Sequence, residues 1–436
     1  MTTWSLPPSP LGVDELAAAV CQQLPAGADI VLPISNGEPV RLLDAIESRL
    51  AEDPALLEGV RVHQMHTLRD RPYLHGAFQG RLDHVSWFLS HITRSAFHAG
   101  TCEFAPANFS EVPAFLAAKQ PAVVLAAASP PDRHGFFSLG LSADYVVSLI
   151  GKVPFVLEAN PAMPSTHGAN RLHRSEVLAW CEAESELVEV PAAAVDDADR
   201  AVATFVAERI PNGATIQLGI GSIPTAVAGF LRDHRDLGVH TELLSDPIVD
   251  LVESGVVTGV RKRSYRGRVV TTFALGSRRL YDFCDDNASV VFLGVDEVND
   301  PRNIGREPNF ISVNATLEVD LFGQCASESI GSHLWSGSGG QADFARGAQY
   351  STGGDGFVVL HATAKGGTLS RIVPCLQPGA IVTTQKNTVD NVVTEHGVAA
   401  LRGRTVSERA AALIAIAAPE HREALTRAGR DMGLVR

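Results

Sequence analysis

The chain has 436 residues, which is too long for one typical domain and ample for buried cores. Hydrophobic residues make up 45% and charged residues 19%, as in an ordinary folded protein. The net charge of -13 argues against a surface for nucleic acid or membranes, because both require a cationic field. We therefore expect two domains and an anionic ligand, if any, held by local groups.

The six cysteines are scattered without a CxxC pair, which favours reduced thiols and a cytoplasmic location. Residues 1–12 lack the basic segment and apolar core of a signal peptide, and the longest apolar runs are far shorter than a bilayer. We therefore expect neither export nor a membrane-spanning helix.

In the first half of the chain, helical spacing over residues 13–24 and 40–50 flanks a strand at 30–34 and a Ser-Asn-Gly turn at 35–37. Residues 121–127 and 153–157 predict buried strands. Strands that alternate with helices predict mostly parallel sheets flanked by helices, an α/β fold.

The stretch 214–255 predicts a strand, a glycine turn, a helix and a second strand. Gly219 and Gly221 allow backbone N–H groups to approach a ligand, and Pro224 suits a first helical turn. Glu242 lies at the end of the second strand. Because ligands of parallel sheets bind at the carboxyl ends of strands, this carboxylate and the turn form a candidate site.

Two segments have the same pattern of Pro-x-Gly, strand, glycine turn, proline and helix: one begins at Pro25 and the other at Pro211. A His-Thr pair follows each helix. This repetition predicts two related α/β domains, residues 1–190 and 191–436, the second carrying Glu242.

Further along, the pattern predicts strands at 290–293, 357–361 and 381–384, and one strand over 310–322 with Asn314 at its centre. Residues 299–301 read as a turn, and the glycine-rich residues 335–344 as a loop lined by backbone. A helix over 407–417 is expected, with Ser407 as its N-cap.

Together these stretches resemble the acetyl-CoA hydrolase/transferase family of class I CoA-transferases, typified by 4-hydroxybutyrate CoA-transferase. The matching motifs cover nearly the whole chain in order: PPDxHGFFSLG at 130–140, ExNPxMP at 158–164, GIGSIP at 219–224, HTE at 240–242, NATLEVDLxGQ at 314–324, GxGGQxDF at 337–344, KGG and SR at 365–371, and VTExG at 393–397.

The resemblance implies an active site in the cleft between two domains, and transfer of CoA from an acyl-CoA, with acetyl-CoA as the expected donor, to a short-chain acid such as 4-hydroxybutyrate, butyrate or an itaconate-like acid. Glu242 falls on the family's nucleophile, which forms a glutamyl-CoA thioester in a ping-pong reaction. A homodimer is common in the family. One departure is Pro247, where the family has glycine, and it predicts an altered turn behind Glu242.

The resemblance and the chemistry of acyl transfer together suggest roles for further residues. Gly339 and Gly340 would stabilise the oxyanion, unless their loop is only structural. Asn314 would orient Glu242 or bond neighbouring backbone. CoA would be held by groups that could alternatively be plain turns or solvated side chains: Gly219, Gly221, Ser222, Gly337, Lys365, Arg371, Glu395 and Gly397.

Other readings remain open at this point. The same glutamate could serve an acyl-CoA hydrolase, and Glu242 could instead be a salt-bridging or capping carboxylate. A nicotinamide-dependent oxidoreductase is a distant alternative, because the turn reads GxGxxP rather than GxGxxG. We expect no metal and no permanently bound cofactor, with CoA as co-substrate, and we interpret His134 and His240 as satisfied or solvent-facing rather than as bases.

Overall fold

A computed structural model describes residues 10–191 and 193–435. The chain forms two compact units, Met1–Val190 with Thr271–Glu297, and Pro191–Val270 with Val298–Arg436. The division into domains after residue 190 stays a prediction. We expect residues 1–12 to contain no signal peptide. Residues 1–9 of this segment lie outside the described residues. Within the described ranges, no helix is long and apolar enough to cross a bilayer.

The fold class predicted from the sequence is confirmed, since mostly parallel sheets alternate with helices along the chain. The helices are α1 Val13–Gln23, α2 Val40–Glu52, α3 His91–Ala99, α4 Val112–Lys119, α5 Asp197–Ala207, α6 Ser222–Phe230, α7 Asp246–Glu253, α8 Arg278–Cys284, α9 Val295–Val298, α10 Pro301–Ile304, α11 Gln341–Tyr350, α12 Val406–Ala415 and α13 Pro419–Asp431.

The first unit is built on a parallel sheet of seven strands in the order β7-β6-β5-β1-β2-β3-β4. Leu16, Val20 and Leu43 of the first two helices are buried in one core with Val62 and Leu125 of this sheet. The strands are β1 Asp29–Val31, β2 Val60–Gln64, β3 Leu82–Ser86, β4 Cys102–Phe104, β5 Val123–Ala128, β6 Phe155–Ala159 and β7 Val177–Glu182.

The second unit is built on a sheet of six strands in the order β9-β8-β10-β11-β12-β13, in which only the final pair is antiparallel. The strands are β8 Thr215–Leu218, β9 Gly238–Val239, β10 Phe310–Ala315, β11 Asp355–Val359, β12 Asn391–Thr394 and β13 Gly397–Ala400. The order of connection reverses at β8, and in open sheets such a reversal leaves a crevice at the carboxyl ends of the strands.

Shorter elements complete the fold. Five 3₁₀ turns within the described residues are Ser35–Gly37, Pro72–His75, Phe109–Glu111, Val147–Leu149 and Arg174–Glu176. The remaining strands are Phe136–Ser138, His167–Gly168, Arg171–His173, Leu243–Leu244, Val269–Thr271, Phe273–Ala274, Val290–Phe292, Glu318–Asp320, Cys325–Ala326, Ser329–Ile330, His333–Leu334, Thr363–Ala364, Leu369–Ser370 and Ile372–Val373.

The single strand predicted over 310–322 is wrong. The chain forms β10 and then a separate strand, Glu318–Asp320, because the Thr316 hydroxyl donates to the carbonyls of Glu318 and Ala326 at 3.4 and 3.0 Å and closes a turn between them. Asn314 consequently lies at the carboxyl end of its strand rather than at the centre.

The predicted N-cap Ser407 is also wrong, since α12 begins at Val406 with Thr405 as its cap. The Thr405 hydroxyl accepts from the Glu408 N–H at 3.3 Å, and the Glu408 carboxylate accepts from the Thr405 N–H at 2.8 Å. This reciprocal pair satisfies two terminal amides, which a cap at Ser407 would leave unpaired.

Pro247 falls inside the first turn of α7, which Ser245 precedes in an extended conformation. The N–H groups of a first helical turn have no partner within the helix, so proline loses no hydrogen bond there and its fixed φ suits the helix. The residue that departs from the family pattern therefore starts a regular helix behind Glu242.

We expect Thr405→Ala to lower the free energy of unfolding by about 1 kcal/mol, because it removes the α12 cap. Urea unfolding monitored by circular dichroism measures this change. Ser407→Ala is the matched control and should change stability far less. Equal losses in both variants would contradict the assignment of Thr405 as the cap.

Candidate active site

Glu242 follows β9 and lies just beyond the carboxyl edge of the sheet. The His240 N–H donates to the Ile216 carbonyl at 3.1 Å, which continues the pairing of β9 with β8. The Thr241 hydroxyl then donates to the Leu243 carbonyl at 3.0 Å. These bonds on both sides of Glu242 fix its backbone, and its side chain is half-buried.

The Glu242 carboxylate accepts hydrogen bonds from two neutral donors. The Asn299 amide nitrogen donates to Oε2 at 2.6 Å, and the Gly340 backbone N–H also donates to the carboxylate. Burial raises the pKa of Glu242 to about 7, and the two donors offset only part of that effect. The group is therefore poised between its neutral and ionised forms near neutral pH.

Gly340 must be glycine for this arrangement. A Cβ atom at residue 340 would overlap both Glu242 Oε2 and Asn299 Nδ2. Gly339 before it has φ +53°, a conformation that glycine adopts without strain, and α11 begins directly after Gly340. The loop thus presents its backbone to Glu242, as the sequence predicted. The oxyanion roles of Gly339 and Gly340 stay predictions.

Asn299 is a site residue that sequence reasoning missed, because Asn-Asp-Pro reads as a plain turn. Its side chain is fully buried, and its Oδ1 has no hydrogen-bond partner among the residues that the structure describes. The preceding carbonyl, that of Val298, accepts from His240 Nε2 at 2.7 Å. His240 therefore holds in place the segment that carries Asn299. His240 itself lies two positions before Glu242, which Asn299 contacts.

His240 is buried, and its ring contacts the Val298 carbonyl, while the interpretation that it is not a base stays a prediction. Burial lowers the pKa of His240 to about 4, assisted by the charge of Lys262. The ring is neutral at neutral pH and can donate from Nε2 to the Val298 carbonyl.

Among the residues that the structure describes, the Asn314 side chain forms hydrogen bonds with Gln217 rather than with Glu242 or neighbouring backbone. Gln217 Nε2 donates to Asn314 Oδ1, and Asn314 Nδ2 donates to Gln217 Oε1, each at 3.1 Å. A Cβ at Gly219 would lie 3.2 Å from Asn314 Oδ1. Asn314 thus supports the glycine turn at the end of β8, and its catalytic role stays a prediction.

A cavity of about 390 Å³ lies at the carboxyl ends of β8, β10 and β11. Three residues expected to bind CoA line it, Gly221, Ser222 and the half-buried Arg371. Gly221, with φ +123°, is the N-cap of α6, so the first turn of this helix forms part of the wall. Exposed Trp335 stands at the same cavity.

The remaining predicted CoA-binding residues have other surroundings. Lys365 is exposed in the turn between Thr363–Ala364 and Leu369–Ser370. Gly397 pairs with Thr394 at the hairpin between β12 and β13. Glu395 lies in that hairpin turn and accepts from the Ala362 N–H at 2.9 Å, next to the cavity wall. Gly337 belongs to the glycine loop before α11. Their roles in binding stay predictions.

Comparison with known proteins gives matches along nearly the whole chain. Residues 17–191 match the acetyl-CoA hydrolase/transferase N-terminal domain, and residues 276–429 match the C-terminal domain of the same family. A succinyl-CoA:cyclohexane-1-carboxylate CoA transferase of Geobacter metallireducens is 45% identical over 96% of this chain and 94% of its own. The chain belongs to the acetyl-CoA hydrolase/transferase family. It is an enzyme of the CoA-transferase class.

A second curated relative and a solved structure are also similar to this chain. The 4-hydroxybutyrate coenzyme A transferase of Clostridium kluyveri is 39% identical over 91% of this chain and 92% of its own. The solved structure of RipA from Yersinia pestis superposes with a TM-score of 0.91 at 34% identity and covers 97% of both chains. The family resemblance inferred from sequence motifs is therefore confirmed.

We expect Gly340→Ala to abolish more than about 99% of activity, because the added methyl group displaces the Glu242 carboxylate and the Asn299 amide, and such displacement costs about 100-fold or more. The control is Gly229→Ala in α6, where a Cβ meets nothing within 4 Å. This control should keep full activity in the same assay. Comparable activity in the two variants would show that the contact at residue 340 is unimportant.

The raised pKa of Glu242 also predicts a pH-dependent effect on stability. Below pH 4.5 the carboxyl is protonated in both the folded and unfolded states. Between 4.5 and about 7 only the unfolded state ionises, so folded stability falls as pH rises, and above about 7 the loss is constant. Glu242→Gln should therefore gain stability relative to the parent by up to about 3 kcal/mol at pH 8 and little at pH 4.5.

Urea unfolding of the parent and Glu242→Gln proteins at both pH values measures this difference. Glu253→Gln, at an exposed position of α7, is the matched control and should show no comparable pH dependence. A difference between parent and Glu242→Gln that is the same at pH 4.5 and pH 8 would contradict the raised pKa.

Proposed function

We propose that this enzyme transfers CoA from an acyl-CoA, with acetyl-CoA as donor, to a short-chain carboxylic acid such as 4-hydroxybutyrate, butyrate or an itaconate-like acid, through a thioester on Glu242. The observation that carries this proposal is the Glu242 carboxylate, half-buried at the carboxyl edge of the second sheet between the Asn299 amide and the Gly340 N–H. CoA acts as co-substrate, and the reaction needs no permanently bound cofactor.

The chemistry begins with ionised Glu242. One of its oxygens attacks the thioester carbonyl, the C–S bond breaks, and CoA thiolate leaves a mixed anhydride behind. The thiolate then attacks the glutamyl carbonyl and releases the first acid as a carboxylate. The resulting glutamyl-CoA thioester is attacked by the second acid, and the same steps in reverse give the new acyl-CoA and free Glu242.

Each addition step forms an oxyanion that needs hydrogen-bond donors. The Asn299 amide, the Gly340 N–H and the adjoining Gly339 N–H are candidates, and a donor of this kind contributes about 3 to 4 kcal/mol to the transition state. Because these donors are neutral, they leave the glutamate basic and nucleophilic, whereas a lysine or arginine would lower its pKa.

Hydrolysis is a second candidate, because the matching family includes both hydrolases and transferases. Water would attack the same glutamyl-CoA thioester in place of the acceptor acid. We propose transfer as the main reaction, because relatives that align over more than nine-tenths of the chain are CoA transferases by name. We further propose a cytoplasmic homodimer, as is common in the family.

We expect Glu242→Gln and Glu242→Ala to lower the rate of CoA exchange between labelled acetate and acyl-CoA by about 1,000-fold or more, because both remove the nucleophile. Glu253→Gln should retain the parental rate. Exchange at the parental rate in a folded Glu242→Ala protein would exclude this function for the residue. A rate of CoA release that is unchanged by any acceptor acid would instead favour hydrolysis.

The pKa of about 7 predicts the pH dependence of the reaction. Attack requires the ionised carboxylate, so kcat/KM for the acyl-CoA should rise about tenfold per pH unit below pH 7 and level off above it. Initial rates from pH 5.5 to 8.5 at constant ionic strength give the profile. A flat profile across pH 7 would show that Glu242 ionises well below this range.

A further inference from the structure

His361 lines the cavity beside α6, and its ring contacts the buried carboxylate of Asp199. Its Nε2 lies 2.8 Å from Asp199 Oδ1, and the Asp199 side chain is only 3% exposed, against 29% for His361. The two residues are 162 positions apart in the chain. The ring is therefore fixed with one nitrogen on Asp199, and His361 is one of the residues that line the cavity.

Asp199 is itself fully engaged. Burial works against its ionised form, but the Asp196 N–H and the side chains of Ser222 and His361 together hold the pKa of Asp199 below its usual value. Ser222 Oγ donates to Oδ1 at 2.9 Å, and the Asp196 N–H donates to Oδ2 at 3.0 Å. The Asp199 carboxylate thus fixes the positions of both the Ser222 hydroxyl and the His361 ring.

A metal ion is a poor fit to the same residues, although Asp196, Asp199 and His361 offer ligand atoms within 4.8 Å of one another. Asp196 Oδ1 already accepts from the Asp199 N–H at 2.8 Å and caps α5. Both Asp199 oxygens and His361 Nε2 are also engaged, so a metal would have to break the helix cap and the Asp–His contact.

The residues that line the cavity are instead suited to binding an anion, with apolar side chains beside them. Arg371 lines the same cavity as His361, and the first turn of α6, with its N–H groups and positive dipole end, forms another part of the wall. The Glu395 carboxylate accepts from the N–H of Ala362, the residue after His361. Exposed Trp335 and Ile220 contribute apolar surface.

We infer that His361, oriented by the buried Asp199 carboxylate, binds a phosphate group of the CoA substrate together with Arg371. This inference rests on the proposed function, because it assumes that an acyl-CoA enters the cavity. Asp199 acts as a positioning residue, since it acts on the phosphate through the cavity-lining side chains that it holds, His361 and Ser222. No bond is made or broken at these residues, and their role is to lower the KM for the phosphate-bearing substrate.

The test compares substrates that carry the same thioester with different numbers of phosphates: acetyl-CoA, acetyl-3′-dephospho-CoA and acetylpantetheine, which has none. For His361→Ala and Arg371→Ala we expect KM for acetyl-CoA to rise about tenfold or more with little change in kcat, because a charged hydrogen bond to phosphate is lost. The kcat/KM for acetylpantetheine should stay within about twofold of the parent. Asp199→Asn should give a smaller loss of the same kind.

Arg427→Ala, at an exposed position of α13, is the matched control for Arg371→Ala and should leave all three substrates unaffected. Turnover of acetylpantetheine shows that each variant is folded. If the His361→Ala loss disappears with the dephospho substrate, the 3′-phosphate is the group bound; if it persists, the diphosphate is. Either result supports the inference.

Equal losses with acetyl-CoA and acetylpantetheine, or no loss with either, would overturn the role of His361 in phosphate binding. Both results leave the proposed function intact, provided that the parent enzyme exchanges CoA. Failure of the parent to exchange CoA with any of the three substrates would count against the proposed function itself.

Discussion

The site depends on a single constraint, a half-buried carboxylate that accepts hydrogen bonds from two neutral donors. Glu242 is bound by the Asn299 amide and the Gly340 N–H, and no Cβ can be accommodated at residue 340 without displacing both side chains. The arrangement raises the pKa of the carboxyl group to about 7 and so makes the carboxylate more basic than that of a solvated glutamate. This gain in basicity costs folding stability once the group is ionised.

Three separate segments of the second unit supply this arrangement. The end of β9 carries His240 and Glu242, residues 298–299 provide the carbonyl that His240 contacts and the amide that Glu242 accepts from, and the glycine loop before α11 provides the N–H. Next along the sheet, the amide pair of Gln217 and Asn314 supports the turn that leads into α6. The carboxyl edge of one sheet thus carries both the Glu242 carboxylate and a cavity lined by Arg371 and His361.

Much of this could be predicted from sequence, because the signals are local. Alternating strands and helices gave the α/β class, and short motifs identified Glu242 and the glycine loop. The turn at Thr316 and the cap at Thr405 were misjudged, since each depends on a side-chain hydrogen bond that competes with an equally plausible neighbouring choice.

The residues missed entirely are those whose partners are distant in the chain. Asn299 and Glu242 are 57 positions apart, Gln217 and Asn314 are 97 apart, and Asp199 and His361 are 162 apart. Periodicity and motif spacing carry no information on such pairs, because tertiary packing alone brings them together. The sequence pattern of a polar residue in a turn, such as Asn299, is the same whether its side chain faces solvent or donates to a carboxylate such as that of Glu242.

The most direct measurement of the central claim is the mass of the enzyme after it is mixed with acetyl-CoA in the absence of an acceptor acid, followed by mapping of the modified peptide. The account predicts a covalent CoA adduct on the peptide that contains Glu242, which borohydride converts to the corresponding alcohol and which an added acid removes. An unmodified Glu242 during active exchange, or an adduct on another residue, would contradict it.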